Sequence, residues 1–219
     1  MKLFVTKFAS YKPSPENPAE MPKLEYVDAL FRRRLSQITR MTIEAVHALC
    51  EDDDGVSQLS QMKLCFASFR GEIARQLKIN KGLVEDADVM PAPFSLSVFN
   101  TPPAAATIAL GMKAGYTAVY PAEDDFKGAF LSAASAVLCG SEKNVVFAYA
   151  DEKIPDEYRD CRGFTDTLPL AFACIISAEP SAGSAELDSD GNLSEITASP
   201  QKFLDFLEDS VRQAGKTVA

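Results

Sequence analysis

The sequence holds one histidine, His47, among 219 residues. Mechanisms built on two imidazoles, and metal centres built on histidine clusters, therefore cannot be assembled from this chain alone. No glycine-rich dinucleotide fingerprint and no Gly-x-Ser-x-Gly elbow occurs either, which removes the motif basis for those two chemistries. The five cysteines (Cys50, Cys65, Cys139, Cys161, Cys174) include no Cys-x-x-Cys pair. An odd number of thiols, set mostly among apolar residues, suits reduced cysteines and neither a disulfide framework nor a zinc site. Nowhere do about 18 apolar residues run together, and the first residues lack the apolar run of a signal peptide. The expectation is a soluble, cytoplasmic protein with no membrane contact, no metal and no cofactor. Positive charge is also scarce: 22 Lys and Arg face 31 Asp and Glu, for a formal charge of -9. A phosphate-neutralising surface has the opposite sign, so nucleic acid is not an expected partner.

What remains is ordinary globular composition, with 47% hydrophobic and 24% charged residues. A chain of this length buries roughly 70% of its unfolded surface, enough for one core, and we read residues 1–219 as a single domain. Residues 2–8 suggest a strand. Pro13, Pro15, Pro18 and Pro22 then enforce an extended loop, since each lacks an amide donor and restricts its predecessor. A helix is predicted over 27–51, with Leu35, Ile38, Ala45 and Leu49 on one face and Arg40, Glu44, His47 and Glu51 on the other. His47 is thereby placed on a polar, solvated stripe. The acidic run Glu51 to Asp54, closed by Gly55, ends the helix.

Further strands are predicted at 62–68, 94–99, 116–121, 145–150 and 170–176. Helices are predicted at 71–84, from Thr101 to near Gly111 with Pro102 and Pro103 in the first turn, at 124–139 and at 200–213. The 124–139 segment has one apolar face of Phe126, Phe130, Ala133 and Val137 and a second of Leu131, Ala134 and Leu138. That pattern predicts burial on nearly all sides, with Gly128, Ala129, Ser132 and Ser135 letting neighbouring backbones approach. A loop or a weak hairpin is expected about Asp190-Gly191, and Phe203, Phe206, Leu207 and Val211 share one side of the last helix. Strands alternating with helices argue an α/β domain with a largely parallel sheet.

Two ligand motifs are only apparent. Gly215-Lys216-Thr217 lacks the leading glycine of a phosphate loop, Ser210 standing in its place, and Asp188-Ser189-Asp190-Gly191 has Glu186 at the first position of a calcium loop and Thr197 where the bidentate glutamate belongs, and reads as a turn. The basic cluster of Arg32, Arg33, Arg34 and Arg40 is either a solvated helix face or a contact for an acidic carrier protein or a phosphate. Cys161, between Arg159 and Arg162 in a polar loop, is the candidate reactive thiol; the other four read as packing.

The stretches Phe94-Ser-Leu-Ser-Val-Phe-Asn100, Gly111 to Tyr120, Pro121-Ala-Glu-Asp-Asp-Phe126 and Val145-Val-Phe-Ala-Tyr-Ala-Asp-Glu152 resemble the beta-ketoacyl synthase-like N-terminal domain family. Arg33 to Arg40, Phe66 to Glu72 and Ser199 to Leu204 share the likeness, which spans most of residues 30–207. The resemblance implies the first half of a ketosynthase of the thiolase-like fold: a mixed, mostly parallel sheet with helices on both faces. Many members are labelled chain length factors in aryl polyene or fatty-acid-like polyketide clusters. In an active ketosynthase a cysteine nucleophile opens the buried helix, and the matching position here is Glu123, followed by Asp124, Asp125 and Phe126. A carboxylate at a helix N-terminus is electrostatically favoured but is a weak acyl acceptor beside a thiolate. The family's two histidines belong to the second half of a full synthase, so condensation by this chain alone is not expected.

The resemblance therefore implies a non-catalytic subunit that partners a full beta-ketoacyl synthase and meets an acyl carrier protein through Arg32, Arg33, Arg34 and Arg40. Two alternatives stay open: a decarboxylase of malonyl thioesters using Glu123, and a self-associating acyl or carrier-protein binding module. In the thiolase-like fold the strand before the nucleophile helix pairs across a two-fold axis. Asn100, Thr117, Val119 and Phe126 are accordingly expected at an interface with a ketosynthase or with a second copy in a homodimer.

Overall fold

The computed structural model describes residues 2–50, 58–161 and 168–217, with side chains as far as residue 212. Six strands form one sheet: β1 (Lys2–Tyr11), β2 (Lys63–Ala67), β3 (Tyr116–Val119), β4 (Asn144–Asp151), β5 (Leu170–Ser177) and β6 (Ala185–Asp188). Their order across the sheet is β3-β2-β4-β5-β1-β6. The β3-β2 and β2-β4 pairings are parallel, whereas β4-β5, β5-β1 and β1-β6 are antiparallel. The sheet is thus mixed, with parallel pairing confined to one half of what was expected to be a mostly parallel sheet. β6 forms no hairpin about Asp190-Gly191; it pairs with β1, Leu3 opposite Leu187. The Asp-Gly dipeptide is a turn in which the Asp188 carboxylate accepts the Asp190 amide at 3.1 Å.

The helices are α1 (Ala29–Arg32), α2 (Gln37–His47), α3 (Ile73–Asp86), α4 (Pro91–Ser95), α5 (Thr101–Ala109), α6 (Phe126–Leu138), α7 (Leu193–Ile196) and α8 (Pro200–Thr217). The single helix expected over 27–51 is two. Ser36 interrupts it, because its hydroxyl accepts the Thr39 amide and starts a new helix while donating to Glu72 at 2.6 Å. Residues 51–57, with the acidic run, lie outside the described residues. The predicted strand at 94–99 is also replaced: Pro91 at the first helical position presets φ and opens α4, leaving Phe94 57% exposed.

Alternation along the strands divides the core into two layers. Cys65, Ala67, Phe147, Tyr149, Phe172 and Cys174 point to the side covered by α6, α7 and α8. Leu64, Phe66, Val146, Ala148, Ala171 and Ala173 point to the side covered by α2 and α5. Both faces of β4 and β5 are therefore buried, which is why their sequences are continuous apolar runs. The amphipathic reading of α2 holds: Leu35, Ile38, Ala45 and Leu49 are buried. His47 is half-buried and stacks on Tyr26, centroids 3.7 Å apart.

The expectation that α6 is enclosed on nearly all sides is corrected. Phe126, Ala129, Phe130, Ala133, Ala134 and Val137 are buried, but Gly128, Ser132 and Ser135 face solvent. Gly128 serves the helix cap: a Cβ there would lie 2.4 Å from the Asp125 carboxylate that accepts the Gly128 amide. In α8, Phe203, Leu204 and Leu207 are buried whereas Val211 is 53% exposed. Among the described residues no helix is long and apolar enough to cross a membrane, and no three acidic, cysteine or histidine side chains are grouped to hold a metal.

Candidate functional site

Because β2, β3 and β4 are parallel, their C-terminal ends meet at one edge of the sheet, where ligand sites of open α/β sheets form. Three segments converge there: 68–71 after β2, 121–125 after β3, and Asp151 at the end of β4. The last is the anchor. Its Oδ1 accepts the Ser68 hydroxyl at 2.6 Å and the amides of Phe69 and Arg70 at 3.1 Å each, and its Oδ2 accepts the Tyr149 hydroxyl at 2.5 Å. Burial raises the carboxyl above its usual range even though every one of these donors favours the charged form. Tyr149 is pushed well up by its own burial and by Asp151.

That network fixes the backbone of Arg70, whose guanidinium reaches across to Asp124 in a two-bond fork of 2.7 and 2.9 Å. Gly71 is required behind it, since φ is +59° and a Cβ would lie 2.9 Å from the Phe99 ring. The turn held by Arg70 is a short 3-10 segment, Ala122–Asp124, in which Glu123 and Asp124 both take left-handed backbone angles, φ 51° and 58°. Such angles cost a non-glycine residue about 1–2 kcal/mol. Asp125 then caps α6 by accepting the Gly128 amide at 3.0 Å.

Glu123, expected from the resemblance at the nucleophile position, lies on this strained turn with its side chain exposed. It does not open α6, which begins at Phe126. His47 is on α2, across the sheet from α6. Cys65 and Cys174 are buried in strands, with burial raising both thiols. Cys139 is exposed, and hydrogen bonding to Ser141 lowers its thiol. Cys161 is exposed too, and its neighbour Arg162 lies outside the described residues.

The expected interface residues do not all gather. Thr117 is exposed on β3, Val119 is half-buried against the core, and Asn100 is exposed and donates to the Tyr116 hydroxyl at 2.9 Å. Phe126 is not at a surface. It is 1% exposed, with ring contacts to Phe147, Tyr149, Phe172 and Phe203, because the first turn of α6 points its apolar face inward. Among the described residues β3 is an edge strand that pairs with β2 along one side alone. Exposed apolar side chains occur on the segments next to it: Tyr120 (64%), Ile108 (70%) and Val98 (48%).

The arginine cluster also divides. Arg32 donates to the Leu24 carbonyl at 2.7 Å, and Arg40 donates to those of Arg32 and Pro22, pinning the proline-rich loop. Arg33 and Arg34 are exposed. The residues that sequence reading missed are Ser68, Arg70, Tyr149 and Asp151. Their signal was present: a charged residue just beyond, or closing, a wholly apolar strand.

Residues 8–212 match the family described as beta-ketoacyl synthase, N-terminal domain. No curated protein matches the sequence. Among solved structures, a ketosynthase in complex with its chain length factor from Xenorhabdus doucetiae is similar at 20% identity and TM-score 0.68. The match covers 83% of this chain and 81% of that one, so the two are of similar length. The ishigamide ketosynthase/chain length factor is similar at 13% identity and TM-score 0.65, over 83% of this chain and 63% of that one. A beta-ketoacyl synthase from Burkholderia phymatum is similar at 10% identity and TM-score 0.57, over 80% and 59%. At these identities the likeness is one of fold, and the chain spans less than two thirds of the latter two.

Proposed function

Since the chain belongs to the beta-ketoacyl synthase N-terminal domain family, we propose that it acts as a non-catalytic, chain length factor-like subunit. Its partner is a full beta-ketoacyl synthase of an aryl polyene or fatty-acid-like polyketide system in the cytoplasm, working with an acyl carrier protein. The observation that carries the reading is the pairing of two features at one sheet edge. The turn expected at the nucleophile position presents Glu123, Asp124 and Asp125, and the strand leading into it has an edge without a strand partner among the described residues. A half-apolar edge strand left open is a template for pairing with another chain. Asn100, Thr117 and Val119 belong to that edge or its flank, with Tyr120, Ile108 and Val98 extending it; Arg33 and Arg34 are the cluster members left for an acidic carrier protein.

The test is sedimentation of the chain alone and coexpressed with a full ketosynthase of the same genome. Val119→Lys is expected to abolish the complex, because a lysine brought into a dry interface without a counter-charge is strongly disfavoured. Tyr120→Glu, at a position 64% exposed, repeats the test with less burden on the fold. A wild-type chain that remains a monomer with no affinity for the synthase overturns the reading, and a wild-type homodimer broken by the same substitutions replaces the synthase with a second copy.

A further inference from the structure

A second concavity lies where the first turns of α2 and α3 meet the loop after β4. It has a volume of about 580 Å³, within the range that holds small ligands. Its walls are tied together: Gln37 donates to the carbonyls of Pro18 and Glu20 at 2.7 and 2.8 Å and accepts the Lys153 amide at 2.9 Å. The proline-rich loop and the β4 loop are thereby fixed to the start of α2, so a ligand meets a site already formed. The lining is chiefly apolar, from Met21, Leu35, Leu77 and Pro155.

Charge inverts here relative to the chain as a whole. Lys78, Lys81 and Lys153 line the cavity against Glu152 and Glu157, on a protein whose formal charge is -9. Lys81 pairs with Glu157, and Lys153 with Asp156 at 3.3 Å. Lys78 has no ion-pair partner among the described residues. The lining contains no arginine, so a single ammonium is offered and no bidentate fork of the kind phosphates favour.

We propose that this cavity binds a carboxylate with a linear apolar tail, the tail on Met21, Leu35, Leu77 and Pro155 and the carboxylate at Lys78. Glu152 sets how binding depends on pH. Its carboxyl is 3% exposed and accepts the first-turn amides of Ala74 at 3.0 Å and Ile38 at 3.4 Å. Burial pushes its pKa up to about 7, with Glu72 acting the same way and the two amides and Arg75 opposing. The charged groups acting on it directly are Glu72 and Arg75 from α3 and its cap, and Lys78, Lys81, Lys153 and Glu157 line the same cavity; at the start of α2 the Ser36 and Thr39 hydroxyls donate to Glu72. Below its pKa Glu152 is neutral and adds no negative charge to the cavity; above it, a second carboxylate repels the ligand. This inference is independent of the β3 edge and of any ketosynthase partner.

The experiment is calorimetric titration of the purified chain with decanoate below its micellar concentration, together with ¹H–¹⁵N spectra of the titrated wild type. One saturable site is expected, with amide shifts concentrated at Ala74, Leu77, Lys78 and Lys153. Binding is expected to be weaker at about pH 8 than at about pH 6, a dependence that Glu152→Gln removes. Lys78→Glu, at an exposed position, is expected to weaken binding about fivefold. Acetate, decan-1-ol and inorganic phosphate, which lack the tail, the charge and both the tail and the single-charge head, are each expected to bind less well. No saturable binding of decanoate, shifts centred elsewhere, indifference to Lys78→Glu, or equal binding of phosphate overturns the proposal.

Discussion

Phe126→Ala removes a ring that is 1% exposed and lies 5.9, 5.6, 6.1 and 5.7 Å from the rings of Phe147, Tyr149, Phe172 and Phe203. Truncating a buried phenylalanine costs about 3–5 kcal/mol, the transfer cost plus that of the cavity left behind. That range is read from whole-ring truncations and so already includes lost ring contacts; its middle, about 4 kcal/mol, is the expected cost at this site. Domains of this kind are stable by about 5–15 kcal/mol, which leaves the variant folded with little margin. The chain has no tryptophan, so urea unfolding is followed by far-ultraviolet circular dichroism. With a denaturant slope of about 2.5 kcal/mol per molar, the midpoint is expected to fall by about 1.6 M. Association at the β3 edge, measured on the folded variant, is expected to be unchanged. A midpoint shift under about 0.4 M, together with loss of association, would refute the placement of this ring in the core and restore it to an interface.

Glu123→Gly relieves a left-handed backbone angle that costs about 1–2 kcal/mol, against a glycine entropy cost of about 0.5–1 kcal/mol, and is expected to stabilise the chain by about 0.5–1 kcal/mol. A lowered urea midpoint would mean instead that the Glu123 side chain holds the turn through contacts. Glu152→Gln tests the buried carboxyl by linkage. The folded pKa of about 7 exceeds the ordinary 4.5, so the folded chain holds the extra proton between those values, and the stability contributed by this group is full below about 4.5 and lost as pH rises through 7. The loss is on the order of 3 kcal/mol, read as the difference in pH slope of the urea midpoint between wild type and variant; equal slopes would remove Glu152 as the titrating group.

Much of the local structure was legible because it depends on short-range pattern. The apolar runs of β4 and β5 announced strands buried on both faces, and the period of α2 told which of its residues are inside. The same logic misread Phe94 to Phe99, where β-favouring residues follow prolines that start a helix, and it carried α2 back through Ser36, whose capping hydroxyl was the sign of a new start. For the site, resemblance located Glu123, whereas Ser68, Arg70, Tyr149 and Asp151 escaped notice. Nothing in their sequence spacing says that 68–71 and 151 face 124; that proximity exists only because β2, β3 and β4 run parallel and in register.

The sequence by itself determined the chemistry that is absent, the helix and strand periodicity, and the acidic turn where a nucleophile would stand. It also fixed that Phe126 is apolar. Whether that ring meets a partner or the chain's own sheet was decided by tertiary structure, since an apolar helix face specifies burial without specifying against what. Strand order was decided there too: an α/β alternation suits parallel pairing, yet β1, β5 and β6 pair antiparallel through contacts between residues far apart in the chain, such as Phe4 with Ser177. The cavity at Lys78 and Glu152 belongs to the same category, because its lysines, its buried carboxyl and its apolar floor come from four separate segments that only the folded chain brings together.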